Sequence, residues 1–213
     1  KLETIGEQAG YPNKFDPNNI GDKDVIYIGA TTSRDVPKIM AIASQGSSLY
    51  IYEISPEMIQ GKKGTICSGY WELTPETGLV EGKLPVATSA YFDRMFYYAV
   101  GNKIYRADLT RSTPRSYEIY AHPDPSVRIT RLKFRSQRED RWDISGGDEV
   151  EAIPYDFVSY LGGVAEYPDG NCSMLEMKLT AAGEIDKEEG TKDLMVYEFK
   201  GFKNVVDFVY AFK

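Results

Sequence analysis

Histidine is nearly absent. The 213-residue chain has one, His122, with two cysteines, Cys67 and Cys172, and two tryptophans. One imidazole and two thiols do not supply the four N or S ligands of a zinc site, so no metal or other cofactor is expected. A Ser–His–Asp set would have to use His122, which lies in Ala121-His122-Pro123-Asp124-Pro125 with no G-x-S-x-G elbow anywhere in the chain. His122 therefore reads as a turn residue packed on proline. The cysteines either pair, in an oxidising compartment, or stay as buried free thiols. No apolar run reaches about 18 residues, so no membrane-spanning helix is expected. No signal peptide is seen, and the opening Lys1-Leu2-Glu3-Thr4 has no Met, which reads as a processed or trimmed product. Gly146-Gly147 and Gly162-Gly163 lack the spacing of a phosphate loop and read as loop or close-packed strand starts. Basic charge is also short: 25 Lys and Arg stand against 32 Asp and Glu, a net charge of −7. That balance argues against nucleic acid and anionic membrane as partners.

What remains is a globular β composition. Hydrophobic residues make up 42% and charged residues 27%, so the chain can bury a core. Tyrosine is abundant, with 16 copies. Its ring packs while its hydroxyl reaches water, and stacking on carbohydrate is the second reading.

The organising stretch is 83–134. It holds strand signals at Val86–Phe92, Met95–Val100, Lys103–Leu109 and Arg115–Ala121, then Val127–Phe134 opens the next group. These runs are rich in Val, Ile, Tyr and Phe, and turn residues interrupt them about every eight positions, which excludes a helical period. Gly101-Asn102 is a hairpin pair. A four-stranded antiparallel meander of this kind is the unit of a β-propeller blade. Before it, Val25–Ala30, Lys38–Ala43, Leu49–Ile54 and Thr65–Leu73 form another group. After it come Val127–Phe134, a long polar insertion over Arg135–Phe157, Tyr160–Tyr167, Cys172–Leu179 and Leu194–Phe199. A last strand is expected over Asn204–Phe212. SSLYIYEIS (47–55), NKIYRADLT (102–110) and CSMLEMKLT (172–180) repeat one shape after a turn. The fold class expected is all-β, with propeller-like four-stranded antiparallel blades at about 24–75, 83–122 and 127–200. A closing strand follows at 204–212 and an irregular lead-in occupies 1–23, all in one domain. Propellers have about 4–8 blades. Three blades and one strand therefore read as the C-terminal portion of an incomplete propeller, its other blades supplied by the same protein or by a second chain. The lead-in cluster Asp16, Asn18, Asn19 and Asp22 lacks calcium-loop spacing and reads as solvated loop.

ATSAYFDRMFYYAVGNKIYRADL (87–109), RITRLKF (128–134) and the terminal GFKNVVDFVYAFK (201–213) resemble the C-terminal part of the PKD-like family lipoproteins of Bacteroidetes. The resemblance implies propeller-type repeats and an exported protein, in the periplasm or on the outer-membrane surface. It carries no activity and no functional residues to map.

Three constellations bear on chemistry. Glycoside hydrolysis needs paired carboxylates, and Asp93, Asp108, Asp148, Asp169 and Asp207 stand near strand starts or turns. The basic run Arg128, Arg131, Lys133, Arg135, Arg138 and Arg141 alternates with Ile129, Leu132 and Phe134, so its charges line the solvated side of a strand. An anionic glycan or a partner protein would meet them there. Trp142 follows on the insertion, where a tryptophan is a stacking platform for sugar or a hot spot for protein contact; the competing reading has it anchoring the insertion. Trp71 reads as core. The ligand-binding candidates are thus Trp142, Arg138 and Arg141. The function expected is a non-catalytic binding module for polysaccharide or an envelope protein. A carbohydrate-active enzyme with paired carboxylates and a purely structural scaffold are the alternatives.

Overall fold

Gly46 and Gly101 sit in two-residue hairpin turns, at φ +59° and +58°, a region that residues with a Cβ enter only at a cost. The flanking alternating sequence then pairs across each turn. A computed structural model describes residues 13–14, 23–31, 38–59, 62–74, 77–79, 89–92, 95–111, 113–139, 142–143, 151–152 and 156–210. Among these residues the chain is all-β, with no α-helix.

The first sheet holds β1 (Asn13–Lys14), β2 (Asp24–Thr31), β3 (Lys38–Gln45), β4 (Ser48–Ile59) and β5 (Lys62–Leu73). Its order is β1-β5-β4-β3-β2, antiparallel except where β1 joins β5. The second holds β6 (Ser89–Phe92), β7 (Met95–Val100), β8 (Lys103–Asp108) and β9 (Ser116–Ala121) in sequence order. In the third region, β10 (Arg128–Glu139) precedes the short pair β11 (Trp142–Asp143) and β12 (Glu151–Ala152). It then continues through β13 (Asp156–Glu166), β14 (Asn171–Leu179) and β15 (Val196–Lys203), and its main sheet runs β10-β13-β14-β15. The all-β class and the four-stranded antiparallel meanders are as expected.

The second sheet is the middle layer. Phe96, Tyr98, Ala107 and Leu109 on one face pack with Met40, Ile42, Leu49, Ile51 and Leu73 of the first sheet. Tyr97, Ala99 and Ile104 on the other face pack with Ile129, Leu132, Leu161, Leu175 and Met177 of the third. Strand β7 therefore carries an unbroken apolar run, because both of its faces are covered. Fully burying one such side chain contributes about 1.5–3 kcal/mol, so β7 is the densest source of stability. Trp71 lies partly buried at the edge of the first of these cores.

The structure corrects three expectations. Tyrosine hydroxyls do not all reach water: Tyr97 and Tyr98 are among the largest fully buried side chains. The Tyr97 hydroxyl instead donates to the Gly183 carbonyl at 2.7 Å. Next, the described parts of 135–157 are strand ladder rather than irregular insertion. β10 and β13 stay paired from Arg128↔Glu166 to Glu139↔Asp156, and Trp142↔Ala152 pairs beyond. The strand signal Leu194–Phe199 is realised as Val196–Lys203, whereas 204–210 forms no strand ladder. Cys172 is a free, buried thiol, in line with the second of the two readings of the cysteines. The Cys67 side chain and the cluster Asp16, Asn18, Asn19 and Asp22 lie outside the described residues.

The segment 204–210 lies over the outer face of the third sheet. Leu175 and Met177 of β14 face the core, so alternation turns Met174 and Glu176 outward. Arg131 Nε donates to the Val206 carbonyl at 2.7 Å, and Lys133 pairs with Asp207 at 2.9 Å. Phe208 and Tyr210 sit on Gly162: a Cβ there would lie 2.9 Å from Phe208 Cε2 and closer still to the Tyr210 hydroxyl. Glycine at 162 is thus what lets two aromatic rings lie on the sheet.

Candidate functional site

Three members of the basic run, Arg131, Lys133 and Arg135, are engaged within the fold. Besides the Arg131 and Lys133 contacts, Arg135 pairs with Glu176 at 3.1 Å and stacks on Tyr160 and Tyr210, with ring-centre distances of 4.6 and 5.1 Å. Arg131, Lys133 and Arg135 are each only partly exposed, and of the described side chains in the run only Arg128 is exposed. The expectation that these charges line a solvated strand face is therefore corrected for Arg131, Lys133 and Arg135, which the C-terminal segment partly covers, and holds for Arg128.

The carboxylate candidates separate. Asp93 and Asp148 lie outside the described residues. Asp108 accepts hydrogen bonds from the Thr110 amide and hydroxyl at 2.9 and 2.5 Å. Asp169 accepts from the Asn171 amide at 3.0 Å, and Asp207 holds Lys133. The Thr110 hydroxyl holds the Asp108 carboxyl below its ordinary range, and Lys133 does the same for Asp207. A glycosidase acid needs the opposite shift, a carboxyl kept protonated near neutrality. Neither Asp108 nor Asp207 is placed for that role.

One gathering was not visible in the sequence. His122 follows β9, only 5% exposed. Its amide donates to the Asn102 carbonyl at 2.8 Å, and the Asn102 side-chain amide donates to the His122 carbonyl at 2.9 Å. Those bonds tie the β7–β8 turn to the connection into the third sheet. The Asp124 amide donates to His122 Nδ1 at 3.1 Å, so the ring proton of the neutral imidazole sits on Nε2. Nε2 faces Glu198 Oε1 of β15 at 3.7 Å, without a hydrogen bond. The Tyr167 hydroxyl donates to that same Glu198 oxygen at 2.9 Å. Tyr120 and Tyr167 meet the imidazole edge-on, with ring centres 6.4 and 6.0 Å away. Burial pushes the Glu198 carboxyl up, but the Ser173 and Tyr167 hydroxyls, Lys200 and His122 together outweigh it and hold the carboxyl below its ordinary value. Burial also pushes the Tyr120 hydroxyl up to about 12.

Serine, histidine and a carboxylate thus meet, but not as a nucleophilic set. Ser173 is 1% exposed, so no substrate reaches its hydroxyl, and the only nitrogen of His122 free to accept a proton is taken by a backbone amide. The cluster ties the edge strand β15 to the joint between the second and third sheets. The turn reading of His122 holds for its position and fails for its environment. Its partners Tyr167 and Glu198 come from two other segments, and no local spacing marks them. Among the described residues, no group of three or more His, Cys, Asp or Glu side chains is placed to hold a metal ion.

Of the ligand-binding candidates, Arg138 lies on β10 opposite Phe157, and Trp142 lies on β11 opposite Ala152. Arg141 and the side chains of Arg138 and Trp142 lie outside the described residues. What is described is their platform. β14 pairs with β13 only from Ser159 to Glu166. From Ser159 toward Asp156, β13 pairs with β10 alone among the described residues, so the two continue as a two-stranded arm. The chain was compared with protein-family models and with curated proteins, and it matches none of them.

Proposed function

We propose that this chain is a non-catalytic interaction module of propeller type, part of an exported cell-envelope protein, and that it binds polysaccharide through the β10–β13 arm. The arm is the observation that carries the reading. It runs past the four-stranded part of its sheet and carries Arg138 on β10, with Trp142 on β11 beyond it. Elements that outrun their sheet and carry a tryptophan next to cationic residues in sequence suit recognition rather than support. The propeller-type reading rests on three four-stranded meanders packed face to face, each a blade in outline. The resemblance to PKD-like lipoproteins supports export and an envelope partner.

The test is tryptophan fluorescence during titration with a panel of soluble host and plant polysaccharides, on the wild type and on Trp142→Ala. A saturable change that the variant loses is the expected result. A wild type that responds to no polysaccharide, or a Trp142→Ala variant that binds as well as the wild type, contradicts the reading.

A further inference from the structure

His122 is the one histidine of the chain, and histidine is the side chain whose ordinary charge change falls between pH 5 and 8. The two nitrogens of its buried ring are placed unequally. Nδ1 accepts from the Asp124 amide at 3.1 Å and lies 3.4 Å from the Asp124 carbonyl oxygen. Nε2 is shut off from solvent without a hydrogen-bond partner, and it faces Glu198 Oε1 at 3.7 Å. A buried N–H left unpaired costs free energy and calls for a reason. Four elements bring titratable groups to this ring. Tyr120 comes from β9, and Tyr167 from the turn after β13. Glu198 comes from β15, with Lys200 3.8 Å from its other oxygen. Asp124 comes from the turn itself, its carboxylate accepting from the Ser126 amide and hydroxyl at 2.9 and 2.7 Å.

We propose that His122 is a pH-operated joint between the second and third sheets, its turn loosening and its contact with β15 closing when the ring is charged. The neutral ring carries its proton on Nε2, so a second proton, taken from solvent, goes to Nδ1. Two N–H groups then meet at 3.1 Å, and the Asp124 amide has to leave. The Asp124 carbonyl, already 3.4 Å away, is the acceptor that the new Nδ1–H needs. At the other nitrogen the charged ring draws on Glu198. A charge-assisted bond of about 2.7–2.9 Å is about 0.8–1 Å shorter than the 3.7 Å of the neutral ring. Both movements act on one place. Asp124 lies in the connection from β9 to β10, and bonds to Asn102 hold residue 122 on the β7–β8 turn. Pro123, Pro125 and Ser126 are exposed, so solvent reaches the turn. The groups around the ring keep their charge while it changes. The Ser126 hydroxyl holds the Asp124 carboxyl below its ordinary value, and Glu198 is held low as well. Burial raises both tyrosine hydroxyls, which stay neutral.

Nuclear magnetic resonance of the wild type, titrated from about pH 7.5 to about pH 5, tests the proposal. A single histidine gives a single imidazole signal, and the amides of Asp124 and Glu198 are followed in the same samples. Their shifts are expected to follow the ring on one titration curve. The Asp124 amide is expected to lose about tenfold in protection from exchange, relative to its intrinsic rate at each pH, once the ring is charged. In Glu198→Gln the charged ring has no carboxylate to close on, so charging it should need at least about threefold more protons. The wild-type titration decides the matter even where the variant does not fold. A ring that stays neutral until the chain unfolds would overturn the proposal. So would a ring that charges while the Asp124 amide keeps its shift and its protection, or a Glu198→Gln ring that charges at the same proton concentration as the wild type.

Discussion

Gly162→Ala tests how the C-terminal segment is held. An added Cβ would lie 2.8 Å from Tyr210 Cζ and 2.9 Å from Phe208 Cε2, against a normal carbon–carbon contact of about 3.5–4.0 Å. Roughly 0.6–1 Å of overlap must therefore be relieved. The rings are not loose ends. Phe208 and Tyr210 pack edge to face at 5.7 Å, and Lys133 and Arg135 lie over them at 5.5 and 5.1 Å. Overpacking of this kind costs about 1–3 kcal/mol. Release of the segment limits the cost, because it gives up two partly buried aromatic rings at no more than about 1.5–3 kcal/mol each. The neighbouring Gly163 is the control. A Cβ there would meet its nearest atoms at 3.4, 3.5 and 3.7 Å, ordinary contact distances, so Gly163→Ala is expected to be neutral or to stabilise by about 0.4–1 kcal/mol through the unfolded chain. Adjacent, chemically identical substitutions should thus differ by about 2 kcal/mol. In urea unfolding, with an m-value of about 2–3 kcal/mol/M, that separates the midpoints by about 0.7–1 M. In a Tyr210→Ala background the Gly162→Ala penalty should largely vanish, since the clash has lost its main partner. Equal penalties at 162 and 163, or a penalty that persists without the Tyr210 ring, would refute the placement of 205–210 on this face.

Two further expectations concern buried polar groups. Tyr97→Phe removes the donor to the Gly183 carbonyl and leaves a buried acceptor unpaired, at a cost of about 1–2 kcal/mol; thermal unfolding should fall by roughly 2–8 °C. An unchanged midpoint would mean that the carbonyl finds water. Glu198 is held below its ordinary value of 4.5 in the folded chain. Its contribution to stability is therefore complete above that value and is lost as pH falls through the lower folded value. Glu198→Gln should flatten the acid limb of a stability–pH profile below about pH 5. A limb of unchanged slope would remove Glu198 from the acid response.

The hairpins were legible because their signals are local. Gly101-Asn102 turns MFYYAV into KIYRAD, and both runs read as strands from their Val, Ile, Tyr and Phe content. The arm was not legible. Arg135 to Glu139 reads as polar surface, and its pairing with Asp156 to Tyr160 rests on backbone hydrogen bonds to which side-chain periodicity is blind. NVVDFVYAF has strand composition, but composition does not say whether a strand finds a ladder. Gly162, far away in sequence, decides that Phe208 and Tyr210 lie on the sheet instead. The His122–Glu198 gathering is invisible for a related reason. Each member is an ordinary residue in its own segment, and only the packing of the third sheet on the second brings them together. The basic run misled because its alternation correctly placed one face outward, without revealing that the chain itself would cover that face.

The central claim is that three sheets form one stack with the second innermost, and native-state hydrogen exchange with site resolution tests it most directly. The amides of Phe96–Val100 on β7 should exchange only through global unfolding, and they should share their opening free energy with the core strands of the other two sheets. Those of the partly exposed edge strand Ser116–Ala121 should exchange earlier. If β7 opens before the edge strand, or if each sheet exchanges with its own separate opening energy, the second sheet is not the shared core and the stacked arrangement is wrong.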